Sequence, residues 1–208
     1  LQNKYNFKVQ KLIDPNREGI IKTLNKYKKI LKRNDSFLIY YAGHGYVEDD
    51  EGYWLPRDAR KENDVNWISN TYLKRKIKSF KSNNVMIIAD SCFSGTLTRG
   101  IIAEEKENKI ESLIDSYLST PSKVVISSGG NEPVNDGGGG KYSLFASSLI
   151  KFLKKNKNPI SSLKLYFAIR ENVFEKSKEL GLQQSPFYGS LKISGHEGPD
   201  FILLPNQN

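Results

Sequence analysis

Two kinds of apolar pattern run along this chain. Short continuous stretches at residues 37–41, 85–89 and 124–127 predict strands buried on both faces of a parallel sheet. Longer stretches with apolar residues at helical spacing predict helices over 69–80, 142–153 and 161–180, with a short one over 110–118. Another helix opens at Asp14-Pro15, because Asp can cap and Pro fits a first turn. It buries Ile20, Ile21, Leu24 and Ile30 and ends near Arg33. Residues 7–13 alternate apolar and polar and read as a further strand, and residues 201–204 as a last one. Tyr46-Val47 and residues 53–55 pair as a hairpin around the acidic turn 48–52. Residues 96–109 are polar and charged and read as a surface loop, and the glycine run 137–140 needs a permissive backbone. Alternating strands and helices of this kind predict one α/β sandwich over 1–208, with a mostly parallel sheet and no internal repeat.

Three predicted strands end in residues suited to chemistry: His44 between two glycines, Cys92 before Phe93-Ser94-Gly95, and the turn at Gly129-Gly130. Open parallel sheets build their sites at the carboxyl ends of the strands. A thiol attacks as thiolate and needs a base beside it. Cys92 is the single cysteine, so any thiol nucleophile is Cys92. His44 is the base that the strand order brings to the same edge, and the N–H groups of Gly45 and Cys92 suit an oxyanion hole. The competing readings are a structural turn histidine and a small buried thiol. The second histidine, His196, reads as structural.

Composition narrows the class. At 38% hydrophobic and 11% aromatic residues the chain carries enough apolar surface for a packed core. One cysteine excludes an internal disulfide framework and a multi-cysteine metal site, and fits a reducing cytoplasm. No apolar run reaches the ~20 residues that span a bilayer, and no apolar stretch follows Leu1-Gln2-Asn3-Lys4 to make a signal peptide. The formal net charge of +9 raises nucleic-acid binding, but the lysines are scattered over outward helical positions such as Lys22, Lys26, Lys28 and Lys29. They read as a solvated surface, so neither nucleic acid nor membrane is expected as a partner.

Tyr40-Tyr41-Ala42-Gly43-His44-Gly45 followed by Ala89-Asp90-Ser91-Cys92-Phe93-Ser94-Gly95 resembles the catalytic pair of the caspase-like cysteine peptidases. The His-to-Cys spacing is of the caspase order, roughly 50 residues. The Asp-Ser-Cys form resembles metacaspases, orthocaspases and their bacterial relatives; animal caspases carry Gln-Ala-Cys. Trp54-Leu55-Pro56-Arg57-Asp58-Ala59, Ser127-Ser128-Gly129-Gly130-Asn131-Glu132-Pro133-Val134, Tyr142-Ser143-Leu144-Phe145-Ala146 and Gly195-His196-Glu197-Gly198-Pro199-Asp200-Phe201 are similar to bacterial caspase-family domains too. The resemblance implies a three-layer α/β/α sandwich with a mostly parallel sheet, and a Cys92–His44 endopeptidase without a cofactor.

It implies more about specificity and control. The residue two before the cysteine lines the pocket for the side chain preceding the cut. Asp90 stands there, and a carboxylate attracts Arg or Lys and repels Asp. A second carboxylate comes from the loop after the next strand, where Glu132 and Asp136 are the candidates. Relatives are often cut after the cysteine strand, which makes Arg99, Lys106 and Lys109 candidate self-cleavage positions. Some metacaspases respond to calcium, but Glu48-Asp49-Asp50-Glu51 lacks the alternating ligand spacing and central glycine of a calcium loop. The family begins with a strand and helix ahead of the segment that matches residues 7–13. The expectation is that this piece is removed or supplied by a separate chain, and that without it the sheet has a gap. An N-terminal fragment, a sensor or regulatory domain, and protein or peptide substrates are therefore the expected partners. The competing function is a catalytically silent caspase-like module in a signalling or defence protein.

Overall fold

The computed structural model of the protein describes residues 1–91, 97, 114–129, 142–182, 184–198 and 200–206. The chain opens with a helical turn, α1 (Gln2–Tyr5). Residues 7–13, expected as a strand, form none. A strand needs a ladder partner for its backbone groups, and among the described residues none pairs with this segment. It is held by side chains instead: Gln10 Oε1 accepts from Lys26 Nζ and from the Tyr27 hydroxyl, both at 3.2 Å.

Helix α2 (Arg17–Ile30) starts later than Asp14-Pro15 suggests. Asp14 sits at φ 43, outside the right-handed helical region. Asn16 is the cap, its side chain accepting from the Gly19 N–H at 2.9 Å. Ile20 and Leu24 are buried, whereas Ile30, expected inside, is 54% exposed.

The central strands follow the apolar runs closely. In chain order the next elements are β1 (Ser36–Ala42), the hairpin β2 (His44–Glu48) and β3 (Glu51–Leu55), then β4 (Ile68–Ser69), which pairs with β3, and helix α3 (Asn70–Lys78). Next come β5 (Asn84–Asp90), α4 (Ile114–Ser119), β6 (Ser122–Ser127), α5 (Leu144–Lys155), β7 (Ile160–Ser161) and α6 (Ser162–Glu179). The chain closes with β8 (Phe187–Ser190), a 3₁₀ turn (Lys192–Ser194) and β9 (Ile202–Leu203). Helices α3, α5 and α6 each begin after a serine, Ser69, Ser143 and Ser161, whose side chain accepts an N–H of the first turn.

The main sheet runs β1-β5-β6-β8. β1, β5 and β6 are parallel, and β8 is antiparallel to β6. β8 was not expected, because its Phe-Tyr-Gly-Ser run is short and carries a glycine. The last predicted strand also lies elsewhere: β9 pairs with β7, away from the main sheet. Alternating side chains of β5 and β6 feed two cores. Met86, Ile88, Val124 and Ile126 join α5 and α6 on one face. Val85, Ile87, Ala89 and Val125 join α2 and α3 on the other. The result is the three-layer α/β/α sandwich with a mostly parallel sheet.

β1 is the exception among the parallel strands. Expected as fully buried, it is only half-buried along most of its length. Among the described residues it pairs with β5 alone, which leaves its outer backbone edge open. A cleft of about 1880 Å³ lies between that edge and residues 5–15, and its lining continues to Gly43, His44, Gly45 and Tyr46.

Candidate active site

The parallel register of β1 and β5 sets the site. Ala42 lies opposite Asp90, and the Gly43 N–H reaches the Asp90 carbonyl at 3.4 Å. The two motif strands therefore end level with each other. His44 begins β2 at this edge and is exposed. Gly45 follows it in β2, opposite Trp54 of β3. Cys92, two positions after Asp90 in the sequence, lies outside the described residues, as do Glu132, Asp136, Arg99, Lys106 and Lys109.

His44 is held through its backbone. The Tyr41 hydroxyl donates to the His44 carbonyl at 2.7 Å and stands 3.3 Å from the Leu55 carbonyl, the residue paired with His44 across the hairpin. The Tyr41 ring stacks on Trp54, with centroids 4.1 Å apart and planes 2° apart. Residue 43 must be small here: a Cβ would meet the Tyr41 hydroxyl oxygen at 2.8 Å and Cζ at 2.9 Å.

Asp90 is held through its side chain. Its Oδ2 accepts from the Ser143 hydroxyl at 2.6 Å and from the Tyr40 hydroxyl at 3.1 Å. The same Ser143 oxygen accepts the Ala146 N–H at 2.9 Å, so it caps α5 and anchors Asp90 at once. Burial and the neighbouring Asp90 charge both raise the Tyr40 pKa, so its hydroxyl stays protonated and remains a donor. The approach to Cys92 is anchored from β6: the Ser128 hydroxyl donates to the Ser91 carbonyl at 3.2 Å, and the Ser128 N–H to the Ala89 carbonyl at 2.9 Å.

His196 lies at the other end of the sheet. Its Nδ1 accepts the Lys123 N–H at 3.1 Å near the start of β6, which is a structural role. In the acidic hairpin, Asp49 and Asp50 form the tip with positive φ. Glu51 turns its carboxylate to Thr71, accepting from N–H at 2.7 Å and from Oγ1 at 2.8 Å. Among the described residues no group of three or more His, Cys, Asp or Glu side chains is placed to hold a metal ion. Nor does any described helix have the length and apolarity to cross a membrane.

Tyr40, Tyr41 and Ser143 stand inside the motifs, where the sequence pattern alone assigns them no role. Two signals were there to read. Adjacent residues at a strand end point to opposite faces, and a serine just before an apolar helical run is a cap. What no pattern could give is that these hydroxyls reach His44 and Asp90.

A search of curated proteins returned no match. Against known families, the caspase domain matches residues 1–194, which takes in both motif strands and all but the last strand of the fold. With that coverage and a mostly parallel α/β sandwich around the His-Gly and Asp-Ser-Cys motifs, the chain belongs to the caspase-domain family.

Proposed function

We propose that this protein is a cysteine endopeptidase cleaving after Arg or Lys, with Cys92 as nucleophile and His44 as base. One observation carries the reading. Ala42 and Asp90 are register partners, so His44 and Asp90-Ser91, the two residues that precede Cys92 in the sequence, leave the carboxyl edge of a parallel sheet side by side.

In the proposed reaction His44 takes the thiol proton and the Cys92 sulfur attacks the scissile carbonyl. The N–H groups of Gly45 and Cys92 receive the oxyanion. His44 then gives the proton to the departing amine, leaving a thioester. His44 next takes a proton from water as it attacks the thioester, and the acid product leaves as the thiol is restored. Asp90, with Glu132 or Asp136, receives the Arg or Lys side chain of the substrate. No step calls for a metal, so activity is expected to persist in excess chelator without added calcium.

The expected partners rest on the cleft beside β1. Its open strand edge and apolar lining, which includes Phe37, Leu38 and Ile39, suit an extended apolar segment from an N-terminal fragment or regulatory domain.

The test is labelling with a peptidyl-Arg chloromethylketone, followed by mass spectrometry. Stoichiometric alkylation of Cys92, lost in His44→Ala, is expected. A folded protein that resists the reagent would favour the catalytically silent module.

A further inference from the structure

Tyr40 and Tyr41 are neighbours on one strand, and β geometry sends their side chains to opposite faces of the sheet. Tyr41 shares its face with Phe37 and Ile39, toward α2 and α3, and its hydroxyl ends on the His44 backbone. Tyr40 lies on the face of Leu38, toward α5, and its hydroxyl ends on the Asp90 carboxylate beside the Ser143 cap. Each hydroxyl thus meets a different functional residue.

We propose that Tyr41 is the positioning residue for the catalytic base and Tyr40 the positioning residue for the carboxylate that selects the substrate, so that rate and selectivity can be separated by removing one oxygen at a time. The inference rests on the peptidase reading above and adds to it two residues and a division of labour.

His44 follows Gly43 and lies beside a second glycine, so the backbone around it has little intrinsic preference. A hydroxyl fixed by a ring stacked on Trp54 supplies the missing restraint. A base displaced even slightly from its nucleophile loses much of its effect. Asp90 is restrained differently. Two hydroxyls meet on Oδ2, and removing the Tyr40 oxygen takes away one of these two restraints on the carboxylate. The high pKa of Tyr40 keeps its proton in that bond at any working pH.

The experiment uses Tyr41→Phe and Tyr40→Phe in the full chain, because phenylalanine keeps the ring packing and deletes only the hydroxyl. Hydrolysis is measured for matched peptides with Arg or norleucine before the cut. Tyr41→Phe is expected to lower kcat about tenfold on both peptides, with their kcat/KM ratio unchanged. Tyr40→Phe is expected to reduce the Arg-to-norleucine ratio about fivefold, as loss of a hydrogen bond to a charged group would. In an Asp90→Ala background Tyr40→Phe should change the ratio no further.

Alkylation of Cys92 by iodoacetamide gives a readout that needs no substrate. Its pH midpoint should rise in Tyr41→Phe, because a displaced His44 stabilises the thiolate less, and stay put in Tyr40→Phe. Equal loss of kcat in both variants with an unchanged ratio would overturn the proposal, as would unaltered kinetics or effects that merely track melting temperature. Cys92→Ala separates the two levels. If it is inactive, the tyrosine results bear on the division of labour alone; if it retains activity, the peptidase reading itself has failed.

Discussion

The carbonyl of Ser91 accepts a hydrogen bond from the Ser128 hydroxyl at 3.2 Å, across from one parallel strand end to the next. Ser128 is itself fixed, since its carbonyl accepts from the Gln184 side-chain amide at 2.8 Å. Ser91, Ser128 and Gln184 are all buried, so water cannot substitute freely for these bonds. The last turn before Cys92 is therefore braced by β6 and by the segment that follows α6.

Ser128→Ala should report on that brace. Loss of one buried hydrogen bond costs about 1–3 kcal/mol, equivalent to a fall in melting temperature of roughly 2–12 °C for a domain of this size. The alkylation rate of Cys92 should change as well. A variant with wild-type melting and wild-type alkylation would show that the contact carries no energy.

Gly43→Ala tests the close approach of Tyr41. The new methyl would stand 2.8 Å from the hydroxyl oxygen and 2.9 Å from Cζ, so the ring must leave its stack on Trp54 or the backbone must shift. Overpacking of this kind costs about 1–3 kcal/mol. Calorimetry should find lower stability, and peptide hydrolysis should slow as the bond to the His44 carbonyl is lost. Tyr41→Phe should not restore the stability of Gly43→Ala, because Cζ remains in the way. Full rescue would mean that the hydroxyl alone causes the clash.

Asp90→Ala addresses specificity. A fluorogenic library varied at the residue before the cut should show Arg or Lys cleaved best and Asp hardly at all. In the variant, basic substrates should lose far more than neutral ones. A wild-type preference for Asp, or unchanged selectivity in the variant, would leave Asp90 with only the anchoring role that Ser143 and Tyr40 give it.

Self-processing is expected after Arg99, Lys106 or Lys109, since this polar segment follows the cysteine motif and carries basic residues. Intact masses of wild type and Cys92→Ala, compared after long incubation, decide it. Fragments in the first and none in the second are expected; an uncut chain in both would dismiss cleavage in cis or in trans.

His196 predicts a pH dependence of stability unrelated to catalysis. Burial, and to a lesser degree Lys192, lower its pKa from the ordinary 6.5, against an upward pull from Asp200. Its Nδ1 accepts the Lys123 N–H, which requires that nitrogen to be unprotonated. The unfolded chain then binds the proton more readily than the folded one, so stability rises with pH through this range. The contribution is fully present above about pH 6.5 and is lost as pH falls through the lower folded value. Denaturation midpoints from pH 4.5 to 7.5 should fall more steeply on acidification in wild type than in His196→Asn. Parallel curves would remove His196 as the cause.

Much of the fold was legible because each element obeys a local rule. Continuous apolar runs gave β1, β5 and β6; helical spacing gave α3, α5 and α6; an acidic turn between two short apolar pieces gave the hairpin whose first residue is His44. The His-Gly and Asp-Ser-Cys motifs carried the resemblance to the family, and that resemblance implied the layer order of the sandwich. Pairing was beyond local rules. Residues 7–13 alternate like a strand yet form none, because a strand exists only with a neighbour to take its hydrogen bonds, and none of the described residues does so. β8 forms from an unpromising Phe-Tyr-Gly-Ser because β6 offers it an edge. β1 reads as buried, but the open edge beside it is a property of the sheet and not of its own residues. The hydroxyls of Tyr40, Tyr41 and Ser143 are visible in the sequence as polar tips on strand and cap positions. Only the fold brings them to Asp90 and His44, because a hydrogen bond depends on where two chain segments meet to within an ångström, and no single segment carries that information.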